Sequence, residues 1–301
     1  MPTYKTYNQV GIAEDVSDII SNITPTRTPF QTAIANESTH STLFEWQEDS
    51  LRDAADNAQA EGAEATDSTR TPTVKRQNRT QIMSETVKVS RTASRVKTYG
   101  RKREMAYQME KAAKALKRDL ERAFVGSAQL SVAGDDTTPR KMAGYQAQID
   151  ASAIVYTGAA KPLSEAALLE VLQDCYTNGA DPTRIHVTPT NSLIIADFAK
   201  ASGRYRTFEG SGADSKTVVN VVNLYVSPFG EQKVEINRFQ KAGQTLVFDP
   251  DMWAKVTFDP WSRVPLAKSG DYDRAMLIGE FSLKHKNYKG SGLIVEAASG
   301  I

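Results

Sequence analysis

The side chains with the chemistry to act as catalysts are few and scattered. His40, His186 and His285 are the three histidines, and Cys175 is the one cysteine. No histidine has an Asp, Glu or Cys at metal-ligand spacing, so each reads as a surface or a satisfied core imidazole. A single cysteine excludes a disulfide framework and a thiolate metal cluster within one chain. It fits a reducing compartment, with Cys175 as a small buried apolar side chain. Asp249 with Asp251, and Asp271 with Asp273, each resemble half of a calcium loop but lack the other oxygen ligands. Asp135 and Asp136 stand beside Thr137, Thr138 and Pro139, where turn chemistry explains them. Gly210, Ser211 and Gly212 resemble part of a nucleotide loop, yet no suitable helix start follows closely. The chain has no G-x-S-x-G elbow, G-x-x-x-x-G-K-[ST] loop or H-E-x-x-H helix. No catalytic residue, metal site or cofactor is expected, and a soluble α/β enzyme without a recognisable motif remains only as a rival.

One constellation could bind an anion. Lys111, Lys114, Arg118 and Arg122 fall at spacings of three and four, which puts them on one face of a helix. Cations so arranged can touch phosphate non-specifically, or charges on another protein chain. The bland alternative is a solvated face paired with its own Glu110, Asp119 and Glu121.

The whole chain does not amplify that signal. In 301 residues, 37 Lys+Arg face 36 Asp+Glu, giving a formal charge of +1. A globally basic nucleic-acid binder is thereby ruled out. Hydrophobic residues make up 40% and the mean hydropathy is −0.44, enough for a folded core. No apolar run approaches the roughly 18 residues of a membrane span, and no signal-peptide core follows Met1, so no membrane partner is expected.

The helix that carries the basic face is the clearest element. Met105, Met109, Ala112, Ala113, Leu116, Leu120, Ala123 and Phe124 form one apolar stripe, predicting a helix from Arg101 to Val125 that Gly126 ends. Upstream, Ile12, Val16, Ile19, Ile20 and Ile23 predict a short amphipathic helix stopped by Pro25 and Pro29. Such a stripe cannot bury itself. It must lie on the body of the protein or on another subunit.

The stretch Glu45 to Thr80 is the least able to fold on its own contacts. Its only apolar residues larger than Ala are Trp46, Leu51 and Val74. Ordering each residue costs about 1–2 kcal/mol, while each large side chain buried returns about 1.5–3 kcal/mol. Its flanks, Ser41 to Trp46 and Thr80 to Ser90, have strand composition, so the whole predicts a two-stranded arm with a polar, mobile tip.

Downstream the chain alternates. Ser164 caps a helix from Ala166 to Tyr176, Arg184 to Val187 is a strand, and Thr190 or Asn191 opens a helix to about Ala201. A glycine-rich loop, Gly203 to Ser215, carries Arg204, Tyr205 and Phe208. Strands are predicted at Val218 to Val226 and Gln232 to Asn237, and from Thr245 onward at LVFD, WAKVTFD, AMLIGEFSL and GLIVEA. The fold class is α+β.

The run from Gly11 to Phe30, GIAEDVSDIISNITPTRTPF, resembles the N-terminal signature of the major head (capsid) proteins of tailed bacteriophages of the SU10-like type. The order of elements is similar to the Hong Kong 97-like capsid fold. That resemblance implies an N-terminal arm (1–40), an extended β-hairpin loop (41–98), and a spine helix with the first part of the peripheral domain (99–163). An axial domain (164–244) and returning peripheral-domain strands (245–301) would complete it. It also implies a structural protein that self-assembles into hexamers and pentamers of an icosahedral head around double-stranded DNA, in a virion built in the host cytoplasm. Further partners would be a portal, a separate scaffold and decoration proteins. Trp46, Leu51, Val74, Arg204, Tyr205 and Phe208 become candidate inter-subunit contacts, the last three near a capsomer axis. The basic helix face becomes a candidate for DNA or inter-subunit charge contacts. No Lys/Asn pair for covalent cross-linking is identifiable. An encapsulin-type shell protein is the rival within the same fold.

Overall fold

Alternation along two strands, Leu246-Val247-Phe248 and Leu293-Ile294, sends side chains to opposite faces of one sheet and builds two cores from it. The computed structural model describes residues 24–52, 54–64, 67, 70–97, 103–158, 162–201 and 224–296. The sheet contains β5 (Ile154–Tyr156), β12 (Gly292–Val295), β9 (Gln244–Phe248), β6 (Arg184–Val187), β8 (Gly230–Ile236) and β7 (Leu224–Ser227), in that spatial order. Val247 and Ile294 face α4 (Glu165–Thr177) and α5 (Pro189–Ala201), and pack with Leu168, Val171, Leu172, Cys175 and Ile195. A Cβ at residue 292 would collide with Val171, so Gly292 is what lets α4 lie this close. Ser164 caps α4 by accepting from the Ala167 N–H at 3.2 Å, as its sequence predicts.

Leu246, Phe248 and Leu293 face the other core, shared with a second sheet of β1 (Ala35–Ser38), β10 (Trp253–Pro265), β11 (Tyr272–His285) and β4 (Gln81–Ser90). Against β4 and β11 lies α3 (Glu104–Glu121), its stripe of Met109, Ala112, Leu116 and Leu120 buried. The helix then widens into one π-helical turn, Arg122–Gly126, which buries Ala123, Phe124 and Val125. Ala113 is exposed rather than part of the stripe, being one residue past the buried Ala112. Arg101 and the N-terminal helix expected before Pro25 lie outside the described residues.

Three expectations are corrected. Pro29 opens a helix, α1 (Pro29–Ala33), as its first residue, where a missing N–H costs nothing. The partner of β2 (Leu43–Glu48) is β3 (Val74–Arg79), antiparallel with Trp46 opposite Arg76, so residues 80–90 are not the arm's second strand. β4 instead pairs antiparallel with β11 from Gln81 to Ser90, because its alternating Met83, Val87 and Val89 have the core to face and β3 has none. The strands after Thr245 divide between the two sheets, and β6 pairs with β9 across the boundary expected at 244/245.

Candidate interaction surfaces

Three surfaces emerge from the sequence: the arm, the hairpin and the basic helix face. The arm enters the body at Phe30, which is fully buried. Its ring lies edge-on or tilted to Phe248 (5.2 Å), Tyr145 (5.7 Å), Trp253 (5.8 Å), Phe124 (6.1 Å) and His186 (6.1 Å). The start of α1 presents backbone N–H groups with no helical acceptor, and buried Glu121 accepts them from Phe30 (2.8 Å) and Gln31 (3.0 Å). The same carboxylate accepts from Asn237 Nδ2 at 2.7 Å, which ties arm, spine helix and β8 together.

Beside this plug, Glu235 is approached by His186 Nε2 (3.5 Å), Lys233 (2.6 Å), Arg184 (3.3 Å) and Arg27 of the arm (3.7 Å). The imidazole and then the Lys233 ammonium hold its carboxyl down at about 2. Burial pushes His186 below the ordinary histidine value. Neither Glu121 nor Glu235 was legible as a contact residue. The one signal for Glu121 is its place between Leu120 and Ala123, on the edge of the apolar stripe.

The hairpin has a fixed root and a bare tip. Asn78, fully buried, donates to the carbonyls of Leu283 (2.6 Å) and Ala143 (3.3 Å), and its Oδ1 accepts from the Ala143 N–H (2.8 Å). Glu280 accepts from the Thr80 hydroxyl and from Arg140, whose Nε also donates to the Thr80 carbonyl at 2.7 Å. The Arg76 guanidinium sits 3.7 Å over the Tyr288 ring. Farther out Trp46 stacks on Phe44 at 5.6 Å, half-buried, with its indole N–H lacking an acceptor. Beyond Glu48 every described residue to Val74 is exposed, Leu51 at 94% and Val74 at 47%. Hydrogen bonds there are local, such as Ala63 N–H to the Ala60 carbonyl at 3.1 Å.

On α3, Lys111, Lys114 and Arg122 are exposed, and Lys114 pairs with Glu110 at 2.6 Å. Arg118 is half-buried with its guanidinium 5.5 Å over the Phe239 ring, so it is tied to the body. Arg204, Tyr205 and Phe208, like Gly210 to Gly212, lie outside the described residues.

The catalytic candidates resolve into structural roles. His285 is buried, stacked 3.9 Å from Trp253, with Nδ1 at 3.1 Å from the Gln148 carbonyl and Nε2 at 3.0 Å from Ser291 Oγ. Burial depresses its pKa to about 3. Burial pushes the Cys175 thiol up to about 12. Asp135 accepts from Thr137 and Thr138 within its own turn, which holds it at about 2. Asp271 pairs with Arg91 and Asp273 with Lys268. Among the described residues no group of three or more His, Cys, Asp or Glu could hold a metal ion. None of their helices is long and apolar enough to cross a membrane.

Comparison with known proteins gives concordant results. The family model described as SU10 major capsid protein matches residues 2–298. A major capsid protein of Escherichia phage Phieco32 is 30% identical over 348 aligned residues, covering 99% of this chain and 98% of that one. Among solved structures, the capsid of Cyanophage A-1(L) superposes with a TM-score of 0.69 at 12% identity, covering 98% of this chain and 99% of the other. The holo-SrpI encapsulin of Synechococcus elongatus PCC 7942 gives 0.63 at 9% identity, covering 95% and 92%.

Proposed function

We propose a division of labour among the parts of this chain, from the premise that it belongs to the SU10 major capsid protein family. As a major capsid protein it is a shell-forming structural component of a phage virion, with the capsid fold of the Hong Kong 97-like type. In our reading, residues 1–40 act as the arm and residues 41–98 as the extended loop. Residues 99–163 supply the spine helix and the start of the peripheral domain, which 245–301 complete; 164–244 form the axial domain. The hairpin lies across a neighbouring subunit, where Trp46, Leu51 and Val74 gain the burial they lack at home. Arg204, Tyr205 and Phe208 face symmetry copies near a capsomer axis. Lys111, Lys114, Arg118 and Arg122 meet charges on neighbours or, non-specifically, packaged double-stranded DNA. Hexamers and pentamers form in the host cytoplasm and accept a portal and, where present, scaffold and decoration proteins. The role is structural rather than catalytic.

One observation carries this reading: the hairpin is rooted through buried Asn78 and Thr80, yet its outer half is exposed along its length. A fixed root spends chain entropy to aim the tip, which is useful only if the tip meets something. Many weak contacts of this kind add up when a shell closes. The test is deletion of residues 59–71, scored by size-exclusion chromatography and negative-stain microscopy. The protomer should keep its unfolding temperature and lose particle formation. Shells at wild-type yield from that variant would contradict the proposed role. The encapsulin likeness, at 9% identity, speaks for shared fold alone.

A further inference from the structure

We infer that the acidic tip of one copy's hairpin docks in a groove on a second copy, between the unpaired edge of β4 and the N-terminal half of α3. The inference rests on the shell reading and adds the surface and the charge logic. α2 (Arg91–Arg95) closes one end of this groove, whose volume is about 880 Å³. Residues 85 to 90 line it consecutively rather than alternately, so it runs along the strand's edge and not across a sheet face. Among the described residues β4 pairs on one side only, with β11. Its outer N–H and C=O groups are therefore open to an extended segment.

Charge selects the occupant. Lys88, Arg91, Arg95, Lys97, Arg103 and Lys111 stand in or around the groove, against Glu85, Glu104 and the Asp271 that pairs with Arg91. Arg103 occupies the N-cap of α3 and makes no side-chain capping bond. A cation at the positive end of a helix dipole is unfavourable, and an incoming carboxylate relieves it. Within this chain the matching partner is the hairpin between Glu48 and Val74. Over residues 49–73 it carries Asp49, Asp53, Asp56, Glu61, Glu64 and Asp67 against Arg52 and Arg70. Both surfaces are exposed in the protomer, and opposite charge steers two copies into register.

The test reverses each side and then both. Asp56→Lys, Glu61→Lys and Glu64→Lys together form the tip set; Lys88→Glu, Arg95→Glu and Lys97→Glu form the groove set. Each set alone should leave the unfolding temperature of the protomer unchanged and lower particle yield at least tenfold. The combined chain should recover to within about threefold of wild type. In assembled particles, Ala63→Cys with Ala93→Cys should give a covalent ladder of subunits under oxidation, because native Cys175 is buried and stays out. A combined chain no better than the worse single set, or no ladder, would overturn the inference. So would a groove set that forms full-yield shells and only loses retained nucleic acid, which would assign the groove to DNA. If deletion of 59–71 abolishes shells while the charge sets are silent, this docking surface falls and the shell reading stands. If that deletion is harmless, both fall.

Discussion

Phe30 and Leu51 stand at opposite ends of the burial scale, 0% and 94% exposed. Phe30 fills a pocket of five aromatic rings, and its backbone N–H is taken by a buried carboxylate. Leu51 touches water. The contrast runs through the molecule: the segment at Pro29 and Phe30 is satisfied inside the protomer, while the hairpin past Glu48 holds its polarity and its few apolar groups outward. A protein that must be stable alone and also bind its own copies gains from separating these tasks. The core fixes the aim of the hairpin, and the hairpin leaves its contacts to be completed by assembly.

The comparison can be broken first at the core. Phe30→Ala should cost the protomer about 3–5 kcal/mol, the range for truncating a buried aromatic side chain. Chemical denaturation would record this as a lower midpoint with little change in slope. A loss under about 1 kcal/mol would mean that the arm is not part of the folded core. Glu121→Gln comes next. It preserves shape but leaves one of the donors from Phe30, Gln31 and Asn237 without an acceptor, at about 1–3 kcal/mol. Hydrogen exchange should then rise at the Phe30 and Gln31 amides before it rises in the sheets.

The same core sets a pH dependence. His285 is held at about 3 in the folded protein against about 6.5 when unfolded, so the native state keeps it neutral where the unfolded chain binds a proton. Its stability contribution is complete above about pH 6.5 and is lost as pH falls from there toward 3. By pH 5 that amounts to about 2 kcal/mol, at about 1.4 kcal/mol per unit. Burial depresses His186 too, so it acts in the same direction. Glu235, lowered to about 2, stabilises above the unfolded carboxylate range and fails only as pH falls through that range. The interval from 6.5 to 5 therefore belongs to the histidines. Denaturation midpoints across it should fall for the wild type and flatten for His285→Gln; equal slopes would remove His285 as the cause.

Much of this was legible from the sequence, for reasons that differ by element. The spine helix announced itself because its buried face repeats at helical period, and α4 because Ser164 and Asn178-Gly179 bracket it. β3 did not, since its Val-Lys-Arg-Gln-Asn-Arg sequence has no apolar face: it pairs through its backbone and is anchored by Asn78. β1, Ala-Asn-Glu-Ser, is equally mute. It exists because β10 offers a parallel edge and Lys284 reaches Glu37 at 2.9 Å. The bareness of the hairpin tip was legible from composition, as was its need for a partner. The buried cluster of Phe30, Glu121 and Asn237 was not, because it joins residues more than ninety positions apart.

The smallest expected effect on the protomer is the sharpest test of the comparison. Leu51→Ala should change protomer stability by less than about 0.5 kcal/mol, as surface substitutions do. If Leu51 is buried against a neighbour, the same change removes an apolar anchor from every copy in the shell. A loss of about 1 kcal/mol per contact, modest in a dimer, is multiplied over the whole particle. Shells of Leu51→Ala should therefore dissociate at distinctly lower denaturant than wild-type shells, while the dissociated protomers of both unfold together. Measuring the two transitions separately, by light scattering and by Trp fluorescence, keeps them apart. Coincident shell transitions would place Leu51 in water in the particle as well, and the anchoring of the hairpin would then rest on its charges alone.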